Sequence, residues 1–110
     1  MTVDELTETG LFGVLNKGNE QGNIEKIYTC DLLSLAMTKN LSGCAWFTVI
    51  GNVNIIAVAV HTCASCVILC ESVQPDEDAL RKANEHNVSI FTTDLPVFDA
   101  ALKLNALTGV

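Results

Sequence analysis

The chain has 110 residues, of which 49% are hydrophobic and 17% are charged. This composition predicts a single folded domain over residues 1–110 with an aliphatic core, because a disordered chain lacks the apolar surface that offsets the entropy of ordering. The net charge of −7, from 13 acidic and 6 basic residues, excludes the basic stripe of a nucleic-acid-binding protein and disfavours binding to an acidic membrane surface.

The cellular location is indicated by the start of the chain and by its apolar runs. The first residues are acidic where a signal peptide would be basic and then apolar, and the longest apolar run, residues 55–60, is far shorter than the roughly 20 residues of a membrane span. We therefore expect a cytoplasmic protein. The five cysteines lie in or beside apolar runs, which predicts free thiols rather than a disulfide framework.

The chain is predicted to begin with a short helix. Thr2 and Glu5 have capping-box spacing, and Gly10 is placed to end the helix. Residues 11–15 are expected to be extended, and residues 18–23, rich in Gly and Asn, form the clearest loop of the chain.

A strand, a helix and a second strand are predicted next. Residues 24–28 alternate between apolar and polar, which indicates a strand, and residues 45–50 form a second β-rich run. Between them, Asp31 either caps a helix that Asn40 or Gly43 closes or takes part in a site at the end of the preceding strand. The sequence leaves both roles open for Asp31.

Residues 52–62 contain six consecutive apolar positions, so periodicity cannot distinguish a helix from a strand there. We predict a helix, because asparagines precede it and a better strand follows at residues 66–70. A helix that is apolar on every side must be covered on every side. The sheet and either another helix or a second subunit are expected to cover it.

The last third of the chain predicts a helix, a strand and a final helix. Pro75 opens the best-signalled helix, with carboxylates in the first turn, and Asn87 is its expected left-handed stop. Residues 88–92 form a strand, after which Thr93 or Asp94 is expected to cap the final helix.

From residue 24 onward the predicted elements alternate between strand and helix. This order predicts an α/β fold, a single layered domain with a mostly parallel sheet and helices on its faces. In such sheets ligands bind beyond the carboxyl ends of the strands. Our candidate ligand-binding residues at that edge are Asp31, Gly51, Asn52, Cys70, Glu71, Thr92 and Thr93. They include no obvious catalytic base, and no catalytic residue is predicted.

Metal or redox chemistry would have to use Cys63, Cys66 and Cys70, with His61 nearby. Zinc needs four convergent ligands, and a reactive dithiol should open a helix, where the amide ends lower the thiol pKa. Here the cysteine pair ends a helix and begins a strand. We therefore favour cysteines as small core residues and expect no metal and no cofactor. His61, like His86, is expected near a helix end.

Three segments resemble the DRTGG domain family. Residues 66–77, continued by the strand at 88–93, resemble its hydrophobic strand, Pro-Asp helix start and Thr-rich turn. Residues 30–34 resemble its Gly-Asp-Leu-Leu-Ser segment, and residues 2–6 suit its stand-alone members.

The resemblance implies a fold similar to the N-terminal domain of HPr kinase. Members occur beside phosphotransacetylase and regulatory pyrophosphatase modules and as free-standing proteins, some linked to iron hydrogenase gene clusters. They are regarded as regulatory or dimer-forming modules without an established catalytic activity. This chain departs from the family where many members carry Gly-Asp-Arg, since it reads Gly51-Asn52-Val53, and where they carry Thr-Gly-Gly, since it reads Cys70-Glu71-Ser72.

The expected function is therefore that of a non-catalytic regulatory or assembly module rather than an enzyme. We expect a homodimer, with a small ligand at the strand carboxyl edge or a protein partner, and neither nucleic acid nor a membrane. The alternative is a metal or thiol-redox protein that uses Cys63, Cys66 and Cys70.

Overall fold

Five strands form one sheet in the computed structural model, which describes residues 1–110. They are β1 (Gly13–Asn16), β2 (Lys26–Thr29), β3 (Cys44–Thr48), β4 (Cys66–Leu69) and β5 (Ile90–Thr92), and their spatial order is β1-β5-β4-β3-β2. The strands β2 to β5 are parallel, and β1 pairs antiparallel with β5. The mostly parallel sheet confirms the predicted α/β fold.

Helices cover both faces of the sheet. They are α1 (Val3–Thr9), α2 (Leu33–Ala36), α3 (Asn54–Thr62), α4 (Glu77–His86) and α5 (Val97–Thr108). One buried cluster joins α2, α3 and α4 to one face, and a second joins α1 and α5 to the other. No helix combines the length and the apolar character needed to cross a membrane.

The two clusters meet across the inner strand β3, in which every residue is buried. Trp46 packs in the cluster with α2, α3 and α4, whereas Ala45 and Phe47 pack in the cluster with α1 and α5. Successive side chains of a strand point to opposite faces, so a strand with helices on both sides must be apolar throughout. This explains the unbroken apolar runs in the sequence.

The start of the chain folds as the capping box predicts. The Thr2 hydroxyl accepts a hydrogen bond from the Glu5 N–H at 3.1 Å, and the Glu5 carboxylate accepts one from the Thr2 N–H at 2.9 Å. These hydrogen bonds lower the pKa of Glu5. Gly10 ends α1 with a left-handed backbone, also as predicted.

Two predicted helix starts are wrong. Pro75 precedes the cap residue Asp76 instead of lying in the first turn of α4. Neither Thr93 nor Asp94 caps α5, which begins after Pro96 without a side-chain cap. The Thr93 hydroxyl instead accepts a hydrogen bond from the Leu95 N–H at 3.3 Å, within the loop before the helix.

The segment 52–62 is helical as predicted, but the helix α3 is not covered on every side. Ile55, Ile56 and Val58 are buried, whereas Ala57 is exposed and Val60 is 45% exposed. An open groove lies between α3 and the neighbouring helix α4, which lines it with Lys82 and His86. The single chain therefore covers α3 only in part, and the expected cover by a second subunit stays a prediction.

Candidate functional site

The seven candidate residues lie on the four loops that follow the parallel strands. Asp31 follows β2, Gly51 and Asn52 follow β3, and Cys70 and Glu71 follow β4. Thr92 is the last residue of β5, and Thr93 follows it. Because these strands are parallel neighbours, their carboxyl ends lie at one edge of the sheet.

Asp31 connects the first two of these loops. One carboxylate oxygen accepts hydrogen bonds from the Thr48 hydroxyl at 2.8 Å and from the Val49 N–H at 2.9 Å. The helix α2 begins after Leu32 and has no side-chain cap. The capping role predicted for Asp31 is therefore wrong, since its carboxylate is held by the end of β3.

The loops after β4 and β5 are joined by backbone hydrogen bonds. The Glu71 N–H donates to the Leu95 carbonyl at 2.9 Å, and the Ser72 N–H donates to the Thr93 carbonyl at 3.0 Å. In a loop that holds a phosphate, successive N–H groups point towards the anion. Here the two N–H groups already have carbonyl partners, so they are not free to bind one.

Gly51 marks a close approach between two loops. A Cβ at this position would lie 2.8 Å from the Gln74 carbonyl oxygen and 2.9 Å from the Val73 side chain. The Gly51 carbonyl also accepts a hydrogen bond from the Asp76 N–H at 2.9 Å. A larger residue would push the β4–α4 loop away from the edge.

The edge is electronegative. Its four loops, residues 30–32, 49–53, 70–76 and 93–96, contain the carboxylates of Asp31, Glu71, Asp76 and Asp94 and no lysine or arginine. Burial, together with the nearby carboxylates of Asp31 and Glu71, raises the pKa of the Cys70 thiol to about 11. A phosphate-bearing ligand would be repelled here, and Cys70 is a poor nucleophile at neutral pH.

A family model described as the DRTGG domain matches residues 12–107. The chain belongs to the DRTGG domain family. The fold is also similar to a solved structure, the CBS and DRTGG domains of the regulatory region of Clostridium perfringens pyrophosphatase complexed with the activator diadenosine tetraphosphate. That match has a TM-score of 0.63 at 17% identity and covers 92% of this chain but 44% of the other. No curated protein sequence matches the chain.

This DRTGG domain keeps the backbone of a glycine turn without the glycines. Glu71 and Ser72, at the positions where the resemblance places Gly-Gly, have φ angles of 58° and 60°. A left-handed backbone is readily adopted by glycine and strained for other residues. The turn is held by the hydrogen bonds to Thr93 and Leu95, and its side chains add a carboxylate and a hydroxyl to the edge.

The cysteines of this DRTGG domain are dispersed. Cys66 and Cys70 are buried in the cluster with α1 and α5, whereas Cys63 is exposed and ends α3 with a left-handed backbone. The interpretation of Cys63, Cys66 and Cys70 as core residues is therefore wrong for Cys63. No group of three or more His, Cys, Asp or Glu side chains is close enough to hold a metal ion.

Two clefts of the domain lie away from the predicted edge. One, of about 460 Å³, lies at the amino ends of the strands and includes Cys63, Glu25 and the loop residues Asn19 and Asn23. The other, of about 480 Å³, lies between α3 and α4 and includes Val60 and His86. Both clefts lie outside the residues predicted from the sequence. Two signals could have indicated them: the Gly- and Asn-rich loop 18–23, and the two helix ends that carry His61 and His86.

Replacing Ser72 with glycine is expected to stabilise the protein. Ser72→Gly relieves a left-handed residue whose side chain makes no hydrogen bond, and the greater entropy of the unfolded chain offsets part of the gain, so we expect about 0.5–1 kcal/mol of stabilisation. The measurement is urea denaturation. Asp94→Gly is the matched control, because Asp94 is exposed in the neighbouring loop and does not have a positive φ. Asp94→Gly should lower the free energy of unfolding. An equal loss of stability in Ser72→Gly would show that Ser72 is not strained in the turn.

The exposed thiol of Cys63 and the buried thiols of Cys66 and Cys70 should differ in reactivity. In the native protein a thiol reagent should modify the exposed Cys63 first, while Cys66 and Cys70 should stay unmodified, because they are buried and burial raises the pKa of each thiol. Cys63→Ser should remove the fastest phase, and protein in denaturant, where all five thiols react, provides the reference. Rapid modification of Cys70 in the folded protein would contradict the structure of the edge.

Proposed function

We propose that residues 1–110 form a non-catalytic regulatory or assembly module that acts in the cytoplasm as a homodimer and senses a small ligand at the strand carboxyl edge. Membership of the DRTGG family supports a regulatory role, as does the similarity in fold to a pyrophosphatase regulatory region. The five free cysteines suit a reducing compartment.

The observation that carries the proposal is the amount of apolar surface that the single chain leaves in water. The exposed large apolar side chains are Val14, Leu32, Leu35, Met37, Val60, Phe98, Leu102 and Leu107, and Phe98 is 72% exposed. Isolated apolar residues are normal on a surface, but clusters of them mark interaction sites. Six of these residues cluster on or beside the helices α2 and α5, which favours association over catalysis.

The ligand class follows from the charges at the edge. Four carboxylates without a basic residue disfavour phosphates, and the N–H groups of Glu71 and Ser72 are already bonded to carbonyls. The Asn52 side-chain oxygen and the Thr93 hydroxyl each accept a hydrogen bond from a nearby loop N–H, so the Asn52 NH₂ group and the Thr92 and Thr93 hydroxyls remain as donors for recognition. A neutral or weakly polar molecule fits this edge better than a nucleotide.

The metal or thiol-redox alternative has less support from the geometry. A dithiol site needs two thiols in contact, and a zinc site needs several convergent ligands. Cys63 lies at the surface at one edge of the sheet, while Cys70 is buried near the opposite edge. Dispersed thiols of this kind suit packing and surface roles.

Light scattering coupled to gel filtration tests the homodimer. The expected mass is twice the 11.8 kDa of the chain at micromolar or higher concentration, because association covers apolar helix faces. A mass of one chain throughout the accessible concentration range would contradict the proposal.

Adenine nucleotides are expected not to bind. Titration calorimetry with AMP and ATP at millimolar concentration should give no binding heat, because carboxylates surround the edge and salt screens their repulsion of phosphate only in part. Glu71→Gln is the informative variant, since it removes one charge and keeps the shape of the side chain. Micromolar binding of ATP to the unmodified protein, abolished by Asn52→Ala, would contradict our interpretation of the edge.

A further inference from the structure

We propose that α5 is the dimer interface and that it packs antiparallel against α5 of a second copy of this chain. The inference rests on the proposed homodimer and specifies its surface, its partner and its symmetry. It is drawn from the pattern of exposed residues along this one helix.

The outward face of α5 carries an apolar stripe. Ala100 and Leu104 are fully buried against the sheet, which fixes the inward side of the helix. Phe98, Leu102 and Ala106 recur every four residues on the other side and are exposed, Phe98 by 72% and Leu102 by 53%. Residues four apart lie on one face of a helix, so these three form one continuous stripe.

The stripe is complementary to itself when it is turned end for end. With the two-fold axis at Leu102, each Leu102 faces its own copy, and each Phe98 faces Ala106 of the other chain. The largest side chain of the stripe therefore meets the smallest, as close packing between two helices requires. A parallel arrangement would place Phe98 against Phe98 and leave space beside Ala106.

The charges of α5 fit the same arrangement. Asp99 and Lys103 are the only charged residues of the helix and lie on one flank of the stripe. Neither forms an ion pair within its own chain. In an antiparallel pair related by a two-fold axis, equal flanks meet, so Asp99 of each chain faces Lys103 of the other. The helix carries no net charge in a chain whose total is −7, which removes a barrier to self-association.

The other exposed apolar groups do not form a surface that is complementary to itself. The helix α2 has only four residues, so Leu32, Leu35 and Met37 lie on a single turn and the residues around it. The groove between α3 and α4 is lined by Lys82 and two histidines beside its apolar residues. The α5 stripe spans about 12 Å between Phe98 and Ala106 at 1.5 Å per residue, so we expect a small interface and a dimer in the micromolar range.

Sedimentation velocity over a range of concentrations tests the surface. Leu102→Asp places a carboxylate on the two-fold axis opposite its own copy and should raise the dissociation constant about 100-fold or more. Leu35→Asp on α2 is the matched control, because it makes the same change at a leucine that is 46% exposed on the opposite face. It should leave the dissociation constant unchanged. Leu102→Gln is a second variant, which makes the stripe polar at the same position without adding a charge. Circular dichroism verifies the fold of each variant.

Charge reversal tests the antiparallel direction. Asp99→Lys and Lys103→Asp should each weaken the dimer about fivefold to tenfold, because each creates two like-charge contacts per dimer. The double variant should restore the affinity to within about threefold of the unmodified protein. These positions are exposed, so the variants should fold.

The outcomes separate this inference from the proposed function. A dimer that Leu102→Asp leaves intact, or that Leu35→Asp dissociates instead, would place the interface elsewhere and leave the homodimer standing. Loss of affinity in the double charge variant as large as in the single variants would overturn the antiparallel pairing. An unmodified chain that is monomeric at every concentration would overturn both proposals.

Discussion

The structure depends on burying both faces of the inner strand β3 at the same time. Trp46 on one face and Phe47 on the other are fully buried, and the strand itself contains no exposed residue. Neither side chain can be covered by the sheet alone, so a helix layer is required on each side. The two helix layers and the apolar runs in the sequence follow from this requirement. The layers are unequal, since α1 and α5 alone cover one face and α5 keeps an apolar stripe on its outer side.

The same arrangement determines what the strand carboxyl edge can do. The strands β2 to β5 are parallel neighbours, so the loops after them lie close together and form hydrogen bonds with one another. Asp31 binds the end of β3, and the turn at Glu71 and Ser72 binds the loop before α5. Backbone groups that could cradle an anion elsewhere are bonded to carbonyls here, and the side chains add negative charge. The edge is therefore acidic and its loop N–H groups are paired, which disfavours a phosphate-bearing ligand.

The order of helices and strands could be predicted because its signals are local. The capping box at Thr2, the left-handed stop at Asn87 and the apolar run of β4 each depend on neighbours a few residues away. The edge to which the seven candidate residues belong also follows from the strand order alone. The partner of Asp31 could not be predicted, because Thr48 is 17 residues away and a local helix cap competes for the same carboxylate. The pairing of β1 with β5, the exposure of Cys63 and the clefts likewise depend on contacts between distant segments.

The proposed association through α5 would explain why a helix with a buried inner side keeps apolar residues on its outer side. Amide hydrogen exchange measured at high dilution and at high protein concentration tests it most directly, because exchange reports protection segment by segment. Peptides covering Val97–Thr108 should become more protected from exchange at high concentration. The protection of peptides covering α2, α3 and the carboxyl-edge loops should not change. Protection that rises in α2 or α3, and not in α5, would contradict it.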